Sequence, residues 1–160
     1  MDYVNSIRHI CHALNKNAVD YMIVGGTAVA FYSYGRPSTN SEGDILGKPD
    51  IDIWYNPKYE NYYRLLDAIE QLGKDVSAYR DEEQPDPRHA FFKLSFDEYT
   101  LDFLPNIKAP LPFWSSFKKR EVFQSDGVEI SFITLEELIQ DKEINPRPKD
   151  IDDIQQLRRK

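Results

Sequence analysis

The chain has 160 residues, of which 41% are hydrophobic and 13% aromatic, a composition typical of a folded domain and not of a disordered segment. Twenty basic against 27 acidic residues give a formal charge of −7, which disfavours a general nucleic-acid or anionic-membrane binder. The single cysteine, Cys11, cannot form an intramolecular disulfide, and no apolar run approaches the roughly 20 residues that cross a bilayer. We therefore expect a cytoplasmic protein with no membrane partner.

The first half of the chain predicts two strands and three helices. Apolar residues recur at helical spacing before residue 17, and a short apolar run before Gly25-Gly26 indicates a buried strand that ends in a turn. Strict alternation around Ile51 and Ile53 indicates a second strand. In chain order the prediction is a helix over 2–16, a strand over 21–24, a helix over 27–34, a loop over 36–49, a strand over 50–55 and a helix that Asn56-Pro57 opens and that continues to about 72.

The second half predicts two hairpins followed by helices. After a charged, proline-broken loop over 80–88, strands are expected over 90–96 and 99–104 and again over 121–124 and 128–133. Thr134, with Glu137 three residues later, predicts the start of a helix through a capping box. Hairpins exclude a purely parallel sheet. We predict one α/β (α+β) domain over 1–160, with a mixed central sheet in a core of about 20–133 and short helices over about 134–160.

Asp50, Asp52 and Asp102 are the candidate catalytic and metal-binding residues. Residues i and i+2 of a strand point to the same face, so the first two carboxylates lie side by side. Two such charges repel each other, and a divalent cation with a preference for oxygen ligands, such as Mg²⁺, would neutralise them. Asp102 follows on a later strand among hydrophobic neighbours, where a buried acid needs a partner or a metal. The alternative for Asp50 and Asp52 is the polar face of an edge strand without a metal, and the alternative for Asp102 is a strand-end acid that faces water.

Two further segments suit a phosphate ligand. The Gly25-Gly26 turn leads from a strand into a helix, where backbone N–H groups and the helix dipole favour anions. Residues 142–160 carry six basic and four acidic side chains, which suits a polyphosphate or a solvated helix with internal ion pairs. Sequence motifs for a P-loop, a dinucleotide-binding loop and a serine-hydrolase elbow are absent. The segment 110–114 suits either base stacking or an aromatic plug on the core.

The order of these motifs resembles the minimal nucleotidyltransferases of the polymerase-β-like superfamily, over residues from about 20 to 157. The branch it is most similar to is the bacterial group related to abortive-infection toxins and aminoglycoside nucleotidyltransferases. The motifs are, in order, Gly25-Gly26-Thr27, Gly35-Arg36, Thr39, Asp50-x-Asp52, Asp102, Leu138…Lys142 and Arg147-Pro148-Lys149-Asp150…Asp153.

The resemblance implies an enzyme of EC 2.7.7 type that moves a nucleoside monophosphate from an NTP such as ATP to a hydroxyl. It implies two Mg²⁺ ions, with Mn²⁺ as a substitute, on Asp50, Asp52 and Asp102, and a proton-accepting role for Asp102. The implied nucleotide-binding residues are Gly25, Gly26, Thr27, Arg36, Thr39, Lys142 and Lys149. Asp150 and Asp153 are expected to partner nearby basic groups.

The chain departs from the family pattern before the acidic pair. The family spacing is Arg-x-Thr-x-Asp-x-Asp, whereas here residues 40–49 intervene, either as a lid over the nucleotide or as an insertion that displaces Arg36. The acceptor could be a protein side chain, an RNA end or a small molecule. A toxin held down by a cognate protein partner is one biological reading, and the rival hypothesis is a catalytically silent module that binds nucleotide or protein.

Overall fold

The computed structural model describes residues 2–33 and 48–159, which form six strands and seven α-helices. The strands are β1 (Tyr21–Val24), β2 (Asp50–Tyr55), β3 (Phe92–Ser95), β4 (Thr100–Leu104), β5 (Glu121–Ser125) and β6 (Val128–Phe132). The helices are α1 (Tyr3–Lys16), α2 (Gly25–Tyr32), α3 (Tyr59–Gln71), α4 (Ser77–Arg80), α5 (Phe113–Lys119), α6 (Leu135–Lys142) and α7 (Pro148–Arg158). A 3₁₀ turn covers Pro87–His89.

The strands form one mixed sheet in the order β3-β4-β2-β1-β6-β5. The central pair β1–β2 is antiparallel, and each of these strands has a parallel neighbour on its outer side, β6 for β1 and β4 for β2. The hairpins β3–β4 and β5–β6 complete the two edges. The predicted mixed sheet with flanking helices is thereby confirmed.

Local sequence signals set several element boundaries. The Asp2 carboxylate accepts a hydrogen bond from the Asn5 N–H at 2.8 Å and caps α1. Thr134 likewise accepts from the Glu137 N–H at 3.2 Å, at the predicted start of α6. Each side chain satisfies one of the N–H groups that a helix leaves without an internal partner. Helix α6 therefore starts where the sequence predicts, and α1 starts one residue after the predicted position.

Some elements differ from the prediction. Helix α2 begins at Gly25, two residues before the predicted start, because this glycine has a positive φ of 65° and turns the chain directly out of β1. Helix α3 begins at Tyr59, later than predicted. The short helices α4 and α5 were not predicted, since four and seven residues are too few to show a helical period.

The two faces of the sheet have different roles. On β2 the side chains of Ile51, Ile53 and Tyr55 are buried, and rings of Tyr55 and of Tyr62 on α3 both contact Phe92. The alternate residues of β2 lie on the opposite face, as the two-residue repeat of a strand requires. Helix α2 packs against β2 and also contacts α6 and α7. No helix of the described residues is long and apolar enough to span a membrane.

Candidate active site

The three predicted acidic residues lie together on one face of the sheet. Asp52 is in direct register with Val24 of β1 on one side and with Asp102 of β4 on the other. Asp50 is two residues earlier on β2, opposite Thr100. Since β2 and β4 are parallel neighbours and paired residues share a face, all three carboxylates project to the same side.

Helix α2 begins directly against this acidic cluster. A Cβ atom on Gly25 would lie 2.5 Å from Asp52 Oδ2 and 3.2 Å from its Cγ. Only a residue without a side chain allows the backbone this close to the carboxylate. The first turn of α2 carries no acidic residue and has no side-chain cap. Its N–H groups thus remain available to an anion next to Asp52.

The pKa values of Asp52 and Asp102 are both raised, by burial and by the neighbouring negative charges. Burial, and after it the negative charges of Asp102 and Asp50, raises the pKa of Asp52 to about 6, against the opposing charges of Lys142 and Lys149. Burial also raises the pKa of Asp102, with Asp50 acting in the same direction and Lys93 against it. Two carboxylates that resist ionisation side by side are a site that a bound cation would stabilise.

The cluster offers ligands for a divalent cation, although its side chains do not form a closed set. Within residues 2–33 and 48–159, no group of three or more acidic, histidine or cysteine side chains is arranged as a metal site. One oxygen of Asp50 accepts a hydrogen bond from Thr100. Asp102 Oδ1, however, is buried without a hydrogen-bond partner, a costly arrangement for a carboxylate oxygen. The donor set is all oxygen, which fits Mg²⁺ or Mn²⁺.

Thr27 lies beneath the cluster and is already hydrogen bonded. Its side chain is buried, its Oγ1 accepts a hydrogen bond from the Tyr3 hydroxyl at 3.0 Å, and it approaches the main-chain oxygen of Asp50 at 3.5 Å. Tyr3 belongs to α1, so this chain of contacts connects the first helix to the start of β2. Through this contact Thr27 supports the main chain at Asp50.

The predicted basic residues approach the cluster from the C-terminal helices. Lys142, at the end of α6, is buried, and Lys149, in the first turn of α7, is exposed. The positive charges of both act to lower the pKa of Asp52. The negative charge of Asp52 also acts on Arg147, at the N-cap of α7. Helices α6 and α7 therefore bring three cations within electrostatic range of Asp52.

Lys93 is a member of the site that the sequence analysis missed. It lies on edge strand β3 in register with Asp102, and its charge lowers the pKa of that acid. The sequence held the signal, because the predicted strands 90–96 and 99–104 leave a two-residue turn between them. The structure has this turn, in which the Phe96 N–H donates to the Tyr99 carbonyl. Counting back from this turn pairs Lys93 with Asp102.

Two predicted nucleotide-binding residues, Arg36 and Thr39, lie outside the described residues, as do positions 40–47 of the insertion. The described site therefore comprises Asp50, Asp52 and Asp102 with Lys93, the start of α2 and the three cations of α6 and α7.

The aromatic segment 110–114 divides between the core and the surface. Phe113 is buried and packs edge-to-face on Trp54 at 5.2 Å between ring centroids, which makes it the aromatic plug. Trp114 is 48% exposed. Both rings, with Trp54 and Tyr59, line a cavity of about 700 Å³ beside the end of β2.

Comparison with solved structures identifies the fold as that of nucleotidyltransferases. The lincomycin-bound lincosamide antibiotic adenylyltransferase LnuA aligns with a TM-score of 0.62 at 16% identity, over 96% of this chain and 95% of that chain. The antibiotic-resistance factor ANT(2″)-Ia aligns with a TM-score of 0.57 at 21% identity, over 96% and 81%. A nucleotidyltransferase-like antigenic protein of Paracoccidioides brasiliensis gives 0.52 at 14%, over 96% and 73%. No protein-family model and no curated protein matches the sequence.

Proposed function

We propose that the protein is a nucleotidyltransferase of EC 2.7.7 type that moves a nucleoside monophosphate from an NTP to a hydroxyl of an acceptor. The observation that carries this proposal is the placement of Asp50, Asp52 and Asp102 on one sheet face against the N-terminus of α2. The fold shared with LnuA and ANT(2″)-Ia supports it.

The three carboxylates would hold the divalent ions, two Mg²⁺ or Mn²⁺. Bound there, the ions would neutralise phosphate charge and lower the pKa of the acceptor hydroxyl. The unpartnered Asp102 Oδ1 and the raised pKa of Asp52 support this assignment, because both are unfavourable until a cation is present. Asp102 would also accept the proton that the acceptor hydroxyl loses.

The remaining residues would bind the nucleotide phosphates. Gly25 and Gly26 present the backbone N–H groups of α2, where phosphate oxygens are favoured by both hydrogen bonding and the helix dipole. Lys142 and Lys149 would offset the charge that develops on the leaving pyrophosphate. Thr27, whose hydroxyl already accepts a hydrogen bond from Tyr3, would support Asp50, and its contact with the triphosphate stays a prediction from the resemblance. The roles of Arg36 and Thr39 at the rim stay predictions from the resemblance.

We favour a small-molecule acceptor. The neighbours include a lincomycin-bound enzyme and an ANT(2″)-Ia complex with adenylyl-2″-tobramycin, both with antibiotic ligands. A protein side chain, an RNA end and a toxin with a cognate partner stay predictions of the resemblance alone.

Calorimetric titration of ATP, GTP, CTP and UTP in Mg²⁺ tests the proposal. We expect wild type to bind at least one NTP, Asp52→Asn to bind none, and Asp97→Asn, an exposed acid between β3 and β4, to bind like wild type. The NTP that binds, labelled on its α-phosphate, is then incubated with the protein and in turn with a lincosamide, an aminoglycoside, RNA and a protein mixture, and transfer of the label is followed. Binding without transfer to any of these acceptors favours the silent module, and a folded wild type that binds no NTP refutes the enzyme.

A further inference from the structure

Asp150 joins cations from three separate segments of the chain. It lies in the first turn of α7 with its side chain 1% exposed. Lys142 Nζ from α6 lies 3.3 Å from Oδ1, and Lys108 Nζ from the segment after β4 lies 3.6 Å from Oδ2. Arg147 Nε lies 3.1 Å from Oδ2, and the Arg147 backbone N–H donates to the same oxygen at 3.0 Å. One buried carboxylate thus holds α6, α7 and the β4 connection.

Lys142 is the buried member of this network. Its side chain is 8% exposed, and its ammonium also lies 3.1 Å from Asp153 Oδ2. A buried ammonium needs such partners, since burial without them is strongly unfavourable. An ammonium carries three N–H donors, and one of them bonds to Asp150 Oδ1. Asp153 Oδ2 is an ion-pair contact without a hydrogen bond, so donors remain for a substrate oxygen.

The network lies next to the helix that borders the acidic cluster. Helices α6 and α7, which carry Lys142 and Asp150, both contact α2, and the first residue of α2 lies directly against Asp52. We propose that Asp150 and Asp153 are positioning residues that hold Lys142 in place for the phosphates of the nucleotide. This rests on the proposed nucleotidyl transfer and extends it, since a fixed ammonium binds developing phosphate charge without first having to be ordered.

Positioning of Lys142 and a simple charge effect predict opposite changes in anion binding for Asp150→Asn. Replacing Asp150 by Asn removes a negative charge from the neighbourhood of a phosphate site, which by charge alone strengthens anion binding. If Asp150 instead positions Lys142, the same change frees the lysine and weakens binding. The direction of the effect therefore separates positioning from a bulk charge effect.

A matched control exists on the same two helices. Glu143 and Arg158 form an exposed ion pair at 3.2 Å between the end of α6 and the end of α7. Glu143→Gln also removes one negative charge and one contact between these helices, yet it leaves every partner of Lys142 in place. It separates loss of helix docking from loss of lysine positioning.

The experiment measures lysine position and anion binding independently. Amine acetylation with an N-hydroxysuccinimide ester, followed by peptide mass spectrometry, reports the reactivity of Lys142, with exposed Lys149 as the internal reference. Pyrophosphate titration by calorimetry reports the anion site. We expect Lys142 to be acetylated about tenfold faster in Asp150→Asn than in wild type, and the variant to bind pyrophosphate about tenfold more weakly. Glu143→Gln is expected to match wild type in both measurements. Asp153→Asn, at a less buried position, is expected to show the same directions if Asp150→Asn does not fold.

The outcomes are distinct. Unchanged Lys142 reactivity in both aspartate variants, or pyrophosphate binding that is equal or tighter once the lysine is freed, overturns the positioning proposal. If wild type binds neither NTP nor pyrophosphate, the proposed function fails, and the acetylation ratio alone decides whether the two aspartates hold Lys142.

Discussion

Gly25 and Asp52 approach each other so closely that no side chain fits between them, because a Cβ atom on Gly25 would lie 2.5 Å from Asp52 Oδ2. This contact fixes the first residue of α2 against the central acid of the site. It also gives the Gly-Gly turn a role beyond its backbone conformation. The same contact keeps the free N–H groups of the helix beside the carboxylates.

Gly25→Ala is expected to damage the site more than the fold. Its positive φ costs an alanine about 1 kcal/mol, and the clash with Asp52 adds displacement of the carboxylate. Gly127→Ala is the matched control, since Gly127 has a φ of 78° and open space around its Cβ position. Denaturant unfolding should show similar losses of about 1 kcal/mol from the backbone alone, whereas only Gly25→Ala should lose NTP binding. Equal NTP binding by both variants would contradict this role for Gly25.

Asp52 is expected to destabilise the metal-free protein as pH rises. Because its pKa is raised from 3.8 to about 6 in the folded state, the folded chain binds the proton more tightly than the unfolded chain does. Its contribution is therefore most favourable below pH 4 and is lost as pH rises through 6. In EDTA at pH 7.5, Asp52→Asn should be more stable than wild type by on the order of 2 kcal/mol, with little difference near pH 3.5.

Comparing the two proteins at each pH isolates Asp52, since other acids titrate alike in both. Asp150, for example, has its pKa lowered chiefly by its hydrogen bond from Arg147 and loses its stabilising effect as pH falls. A difference between wild type and Asp52→Asn that is constant from pH 3.5 to 7.5 would contradict the raised pKa.

Mg²⁺ is expected to stabilise wild type at neutral pH. A ligand that binds only the folded state adds about 2.7 kcal/mol at 100 times its dissociation constant, and it would also relieve the repulsion between Asp52 and Asp102. Thermal unfolding in MgCl₂, against NaCl at equal ionic strength, should raise the midpoint of wild type and of Asp97→Asn. Asp102→Asn should show a much smaller rise. An equal rise in all three would place the ion elsewhere.

Tyr3→Phe is expected to weaken the fold through Thr27. The phenylalanine keeps the ring but loses the hydroxyl that donates to Thr27 Oγ1 at 3.0 Å, at a cost of about 1 kcal/mol. Thr27→Val should cost a similar amount, and the double variant should lose less than the sum because the two groups share one hydrogen bond. Strict additivity in urea unfolding would show that the two groups act independently.

The sequence predicts local geometry well and long-range contacts poorly. Strand alternation placed Asp50 and Asp52 on one face, and the turn after β3 would have placed Lys93 beside Asp102. The register of Asp52 with Asp102, in contrast, depends on which distant strands pair, and only the motif order of the resembling family suggested their proximity. What the three acids do stays a proposal.

For the helices too, local features could be predicted from the sequence and packing contacts could not. Thr134 marked the start of α6 because a side-chain cap is a local signal. The network around Asp150 depends on how α6, α7 and Lys108 pack, which no local pattern encodes, although Asp150 and Asp153 were expected to have basic partners. Helix α5 was missed because its aromatic residues show no periodicity over seven residues.

The parallel pairing of β1 with β6 determines when the proposed site can be completed during synthesis of the chain. Ile23 is in register with Phe132, more than one hundred residues later, and the cations of α6 and α7 come later still. A chain emerging from the ribosome carries Asp50 and Asp52 early, but it has neither the neighbouring strand nor the lysines. The proposed site is thus complete only after nearly all of these residues have been translated, so we expect a truncated product to lack the proposed activity.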